Sequence, residues 1–451
     1  MKQRNFDNPD RFKMTELGPL PKEWEVVKIG NLVSLETGKR MKGGGQSKGE
    51  IFSLGGEHID DSGQLIFTNP KFISREFYES MNKGKVKNGD VLMVKDGATT
   101  GKLAYINKLP VPKLAVNEHI FILRPLDPQV LNGLFLYYTL LSEHGQKQIQ
   151  HRYHGLIGGV NKQEVCSIVI PLPSLREQRA IAHVLRTVQR AKEATKRVID
   201  VTRELKKSLM RHLFTYGPVP LNQADQVPLK ETEIGPVPEH WEVVRLGEVL
   251  KRTQYGISRR GEREGRFPIL RMNNLVDGKI DTSSLQYVDL NAQEFVKFQL
   301  RKGDVLFNRT NSIDLVGKTA LFDLDGDYVF ASYLIRLEVV KNRLMSEFLN
   351  FYMNWDKTQQ RLKGLASRGV SQSNISATKL KGLSIALPPP SEQREIARIF
   401  QAVDRKIEAE ENRKAALEVL FKTLLHHLMT GKVRVGPCGG ADNVDHVLEG
   451  D

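Results

Sequence analysis

Residues 15–30 read TELGPLPKEWEVVKIG, and residues 232–247 read TEIGPVPEHWEVVRLG. The likeness continues along the chain. Gly89-Asp90-Val91-Leu92 returns as Gly303-Asp304-Val305-Leu306, and Gly101-Lys102 as Gly317-Lys318. LPSLREQRAIA at 172–182 returns as LPPPSEQREIA at 387–397, and His212-Leu213 as His427-Leu428. The landmarks keep their order and lie 214 to 217 residues apart. Chance does not hold five landmarks in one register, so the chain is a tandem duplication.

Each copy has two parts. The first carries short apolar runs such as VLMV, HIFIL, DVLF and YLIRL, broken by Gly, Asn and Pro, and predicts a largely β or mixed globular unit. The second part, 177–215 and 392–430, has no Pro or Gly and repeats apolar residues at helical spacing. The expected stripe is Ile181, Val184, Leu185, Val188, Ala191, Val198, Leu205 and Leu209 in the first copy. In the second it is Ile396, Ile399, Phe400, Val403, Leu417, Leu420, Phe421 and Leu424. Each helix follows a proline-rich stop, with Ser174 and Ser391 placed to cap it, and ends before Gly217 or Gly431. At about 58 Å each, the helices are too long for the face of one small domain. They are expected to pack antiparallel on one another. The fold class expected is α/β, more narrowly α+β: two pseudo-symmetric globular domains separated by a long antiparallel helical coiled coil.

The chain's 451 residues carry a formal charge of +14, which points to a polyanionic partner. No like-charged block forms a tail, so the excess is spread over folded surface. No run approaches the roughly 18 apolar residues of a membrane span, and the start MKQRNFDNPDRFK has no apolar leader. Cys166 and Cys438 are far apart without ligand-type neighbours and fit a reducing cytoplasm. Signatures of catalysis are missing. No Gly-x-Gly-x-x-Gly follows a strand, and Gly317-Lys318-Thr319 has Ser312 where a phosphate loop needs glycine. Asn69-Pro70-Lys71-Phe72 reads as a turn, Glu204 and Lys206 as solvent-facing helix positions, and His426-His427 as a helix end.

Two globular units, each followed by a helix starting Glu-Gln-Arg, resemble the specificity subunits of type I restriction-modification enzymes. The resemblance rests on Trp24-Glu25-Val26-Val27 with Trp241-Glu242-Val243-Val244, the Gly-Asp-Val-Leu runs and the two Glu-Gln-Arg starts. It implies target-recognition domains at 1–155 and 217–372, helical spacers at 156–216 and 373–435, and a tail at 436–451. It implies double-stranded DNA, two methyltransferase subunits and restriction (motor-nuclease) subunits as partners, and a non-catalytic role. S-adenosylmethionine, ATP and magnesium are then expected on those partners and no cofactor on this chain. A stand-alone DNA-binding regulator and a coiled-coil scaffold remain the alternatives.

The copies diverge where reading would occur. TGKRMKGGGQSKGE (37–50) faces TQYGISRRGEREGR (253–266), and KDGATTGK (95–102) faces NRTNSIDLVGK (308–318). Basic, Gly-rich loops with Asn, Thr and Ser approach phosphates closely and offer donors to base edges. The expected DNA-contacting residues are Lys39, Arg40, Lys42, Lys95, Thr99 and Lys102, then Arg259, Arg260, Arg271, Asn273, Asn274, Arg309 and Asn311. Trp24 and Trp241, at matching positions, are expected in the core.

Overall fold

The computed structural model describes residues 11–41, 45–153, 158–368 and 372–435; Lys42, Cys438 and the tail 436–451 lie outside them. By compactness the chain divides into Met1–Thr195 with Arg413–Asp451, and Lys196–Asn412. Each unit therefore holds one globular part and one end of each long helix.

In unit 1 an antiparallel sheet runs in the order Val33–Thr37, Ile120–Pro125, Val91–Val94, Leu103–Tyr105. Its inner strand Val91–Val94 is buried at every position, which is why it reads as an unbroken apolar run. A second sheet centres on Ile51–Leu54, antiparallel to Phe72–Ile73 and parallel to Leu114–Val116. A ribbon of Glu25–Lys28 with Val169–Leu172 carries the Trp24 segment to the proline stop before the first helix.

Unit 2 repeats this plan. Its four-stranded sheet is Leu250–Tyr255, Leu334–Val339, Val305–Asn308, Thr319–Leu321. Its second sheet centres on Phe267–Leu270, antiparallel to Gln286–Val288 and parallel to Val329–Phe330. Glu242–Arg245 pairs with Ser384–Leu387 as the ribbon. Mixed strands and helices of this kind make the α+β class. One close approach recurs as well: a Cβ on Gly38 would stand 1.7 Å from Val116 O, and one on Gly256 2.2 Å from Phe330 O. Only glycine lets the first strand leave its sheet there.

The long helices span Leu175–Tyr216 and Pro390–Met429. Ser174 caps the first through Glu177 N, 3.4 Å away. Ser391 does not cap the second. That helix starts two residues earlier than such a cap would set it, at Pro390, which lacks the N–H that would have been orphaned, and Glu392 N and Gln393 N donate to Pro389 O. Gly217 and Gly431 close the helices at φ 82° and 64°. In unit 1, Ile181 and Leu185 share a core with Phe421, Leu425 and Leu428, and Lys192 Nζ lies over the Phe421 ring. In unit 2, Arg203 pairs with Glu411 and Lys206 with Asp404, both at 2.5 Å. Within each unit the helices run antiparallel. Lys206, expected on the solvent side, is thus drawn into an ion pair between helices.

The apolar stripe is not continuous. Ile181, Leu185, Ile396 and Phe400 are buried, but Val198, Leu205 and Leu420 are 40 to 51% exposed, and Ile199 is buried instead. Heptad arithmetic alone therefore mispredicts burial at these positions.

Candidate nucleic-acid interface

The repeated motifs turn out to be framework. The Trp24 indole donates to Glu177 (3.0 Å) and the Trp241 indole to Glu392 (2.8 Å), with both rings buried. Gln178 accepts from Asn132 N and donates to Val130 O and Pro173 O. Gln393 accepts from Met345 N and donates to Arg343 O and Pro388 O. Both glutamines are fully buried. The Asp of each Gly-Asp-Val-Leu run holds an arginine of the neighbouring strand: Arg124 grips Asp90 through two bonds of 2.7 and 2.8 Å, and Arg336 meets Asp304 at 3.4 Å. Only the arginine of each Glu-Gln-Arg start, Arg179 or Arg394, faces solvent.

The framework also aligns the variable loops. Lys95 N donates to His119 O (3.0 Å), Val160 N donates to Lys95 O (2.8 Å), and Gly101 N donates to Val94 O (2.8 Å). In unit 2, Arg309 N donates to Tyr333 O (3.0 Å), Ile375 N to Arg309 O (2.9 Å), and Gly317 N to Asn308 O (2.8 Å). Lys95 and Arg309 therefore occupy one position twice, as do His119 and Tyr333. His58 and Asn274 are a third such pair: buried, each accepting from the backbone N–H three residues back, Gly55 N (2.8 Å) or Arg271 N (2.9 Å).

In unit 1 these loops line an open groove of about 1000 Å³, with Glu57, Lys95, Thr99, His119, Asn161 and Lys162 on its walls. Asp96 lies between two of them, 2.6 Å from His119 Nδ1 and 3.6 Å from Lys95 Nζ. Burial works to raise the Glu57 carboxyl, but the Lys71 hydrogen bond (2.7 Å) and its own backbone hold it below the ordinary range. Lys102 pairs with Asp61 (2.6 Å) and Arg40 with Glu118 (3.5 Å), while Lys39 is exposed, 5.9 Å from the Phe77 ring centre. Exposed pairs of this kind are worth about 0–1 kcal/mol, so a phosphate can displace the carboxylate.

In unit 2, Arg259 pairs with Glu294 (2.7 Å), while Arg260 and Asn273 are exposed. Arg271 donates to Ser284 O (3.3 Å). Asn274 is buried with its amide engaged by Asp281 O and Ser284 O, so it shapes the turn. Asn311 Oδ1 accepts from Ser312 N (2.8 Å). Arg309 lies against Tyr255, its guanidinium 4.9 Å from the ring centre. The sequence expectations thus converge on two loop clusters, but they omit Asp96, His119, Asn161 and Lys162, and also Tyr255 and Tyr333. His119 and Tyr333 were findable: each is the first residue of the matched runs HIFIL and YLIRL.

Among the described residues, no group of three or more His, Cys, Asp or Glu is placed to hold a metal, and no helix is long and apolar enough to cross a membrane. Residues 21–202 and 238–419 match the Type I restriction modification DNA specificity domain, once per copy. The chain is 26% identical over 438 residues to the type I restriction enzyme MjaVIII specificity subunit of Methanocaldococcus jannaschii, covering 95% of this chain and 97% of that protein. It is 22% identical to the EcoKI specificity subunit of Escherichia coli, covering 92% and 90%. The crystal structure of the type I restriction-modification S subunit from M. genitalium aligns with a TM-score of 0.59 at 18% identity, covering 90% of this chain and 96% of that one. A chain from a structural study of type I complex assembly aligns at 0.53 and 19%, covering 92% and 99%.

Proposed function

The chain belongs to the family of type I restriction-modification specificity subunits, and from that membership we propose that it reads a bipartite DNA target, one half per unit. Members of this family are the non-catalytic components of their complexes and act with DNA and other subunits. The observation that carries the proposal is the pairing of an unvarying buried framework with divergent exposed loops. Glu177/Glu392, Gln178/Gln393 and Asp90/Asp304 recur in the same bonds, while KDGATTGK and NRTNSIDLVGK hang different side chains on equivalent backbone. A homodimeric reader repeats its contacts by symmetry; a duplicated chain repeats the scaffold and frees the two halves to differ.

Two methyltransferase subunits dock on this chain, and restriction subunits join through them, in the cytoplasm. Adenine methylation draws on S-adenosylmethionine, and translocation and cleavage on ATP and magnesium, all held by those partners. The exposed apolar residues of the long helices, Val198, Val201, Leu205, Val419 and Leu420, support a docking role for the helices. The test is to express the chain with its methyltransferase subunits and map methylated adenines across a genome. A split recognition sequence is expected, and replacing residues 25–155 by those of a relative should change one half only. A change in both halves or in neither overturns modular reading.

A further inference from the structure

Among the candidate cations of the described loops, Arg309 combines two properties that the others do not share. It has no carboxylate partner among the described residues, whereas Arg40, Lys95, Lys102 and Arg259 each have one. Its plane is also fixed. The guanidinium packs on the Tyr255 ring at 4.9 Å, Nη1 donates to Ser332 O at 3.1 Å, and Nε is buried without a hydrogen-bond partner. Among the described residues Nη2 and the second hydrogen of Nη1 have no partner, which leaves a fork of donors at the end of a held side chain. Arg260 and Arg271 also have no carboxylate partner among the described residues; Arg271 Nη2 is held by Ser284 O at 3.3 Å with its Nε buried, but neither arginine stacks on a ring there as Arg309 does.

A planar fork of two parallel N–H donors matches the O6 and N7 acceptors that guanine presents in the major groove; no other base offers that pair. Flexible, unstacked cations serve the phosphate backbone without regard to sequence. Resting on the proposed reading of DNA, we infer that Arg309 is a specificity-determining residue that reads one guanine in the half-site met by unit 2. The same backbone position in unit 1 holds Lys95. Its ammonium is a point charge engaged by Asp96 at 3.6 Å and lying 5.8 Å from the Phe121 ring centre. Equivalent places in the two units thus present a fork and a neutralised point charge. That is a physical reason for the two half-sites to differ at this step.

The experiment uses the full chain assembled with its methyltransferase subunits. A library of randomised DNA duplexes is selected for binding and sequenced, for the wild type and for Arg309→Lys and Arg309→Ala. The wild type should prefer G at one fixed position of one half-site. Both variants should lose that preference by roughly five- to 150-fold, the discrimination of one bidentate pair, with all other positions unchanged. Arg309→Lys keeps the charge and should retain most of the overall affinity. The other half-site, read in the same selection, reports that the variants are folded and bound. If Arg309→Lys keeps every base preference while Arg309→Ala weakens all sequences alike, Arg309 touches a phosphate and the inference is overturned. A wild-type complex with no sequence preference at all instead refutes the reading of DNA on which the inference rests.

Discussion

Replacing Gln178 or Gln393 by alanine should destabilise the matching unit without touching any surface. Each side chain is fully buried and makes three hydrogen bonds to backbone: Gln178 to Asn132 N, Val130 O and Pro173 O, Gln393 to Met345 N, Arg343 O and Pro388 O. Each bond contributes about 1 kcal/mol net, and a buried backbone group left unpaired costs about 1–3 kcal/mol. Three bonds lost together therefore cost about 3–5 kcal/mol, a large share of the roughly 5–15 kcal/mol that holds a typical protein folded. The melting midpoint of the affected unit should fall by on the order of 10 °C. Arg179→Ala and Arg394→Ala, one residue further on and exposed, should change stability by less than about 0.5 kcal/mol. Urea unfolding measures the global loss. Hydrogen exchange at residues 130–132 and 343–345 assigns it to unit 1 or unit 2. If Gln178→Ala leaves both measurements at wild type while methyltransferase binding is lost, the Glu-Gln pair is a docking motif and the structural account of it is wrong.

Two further outcomes follow from the geometry. Burial pushes the Asp304 carboxyl above its ordinary range, against the Arg301 N–H and the Arg336 charge. A carboxyl raised in the folded state adds stability below its unfolded value of about 4 and loses it as pH rises through the folded value. The stability deficit of Asp304→Asn relative to wild type should therefore shrink from acid towards neutral pH in urea titrations, and a deficit that grows with pH contradicts this. Adding four residues after Lys196 and four after Asn412 leaves the Arg203–Glu411 and Lys206–Asp404 pairs on one side of both insertions. It lengthens each helix by about 6 Å. At about 3.4 Å per base pair, the unread spacer in the methylation map should grow by one or two base pairs, and an unchanged spacer refutes the helices as ruler.

The duplication was legible because its landmarks are residues that burial cannot spare. Trp24 and Trp241 need an acceptor for the indole N–H, and Glu177 and Glu392 supply it. What the sequence could not show is which charges find partners. Arg40, Lys95, Lys102 and Arg259 look alike on paper as free cations, yet carboxylates up to 78 residues away in sequence meet them only in the folded chain. Asn274 looks like a base reader and is a turn residue, because its buried counterpart His58 does the same work with a ring nitrogen. The helix starts show the same limit of a sequence read alone. Glu-Gln-Arg invites a docking interpretation, but the fold itself consumes the first two side chains and leaves only the arginine outside.

The contrast between the copies has a common energetic origin. A change at a buried polar position strands its partner at about 1–3 kcal/mol, whereas most exposed positions tolerate substitution within about 0.5 kcal/mol. Glu177/Glu392, Gln178/Gln393 and Asp90/Asp304 are therefore kept in kind. His58/Asn274 changed residue but kept the bond, since a ring nitrogen and an amide oxygen both accept the same N–H. Lys95/Arg309 and His119/Tyr333 are free in their side chains because only their backbone atoms join the shared framework. Positions whose side chains cost the fold little are those at which a duplicated chain can come to read two different sequences.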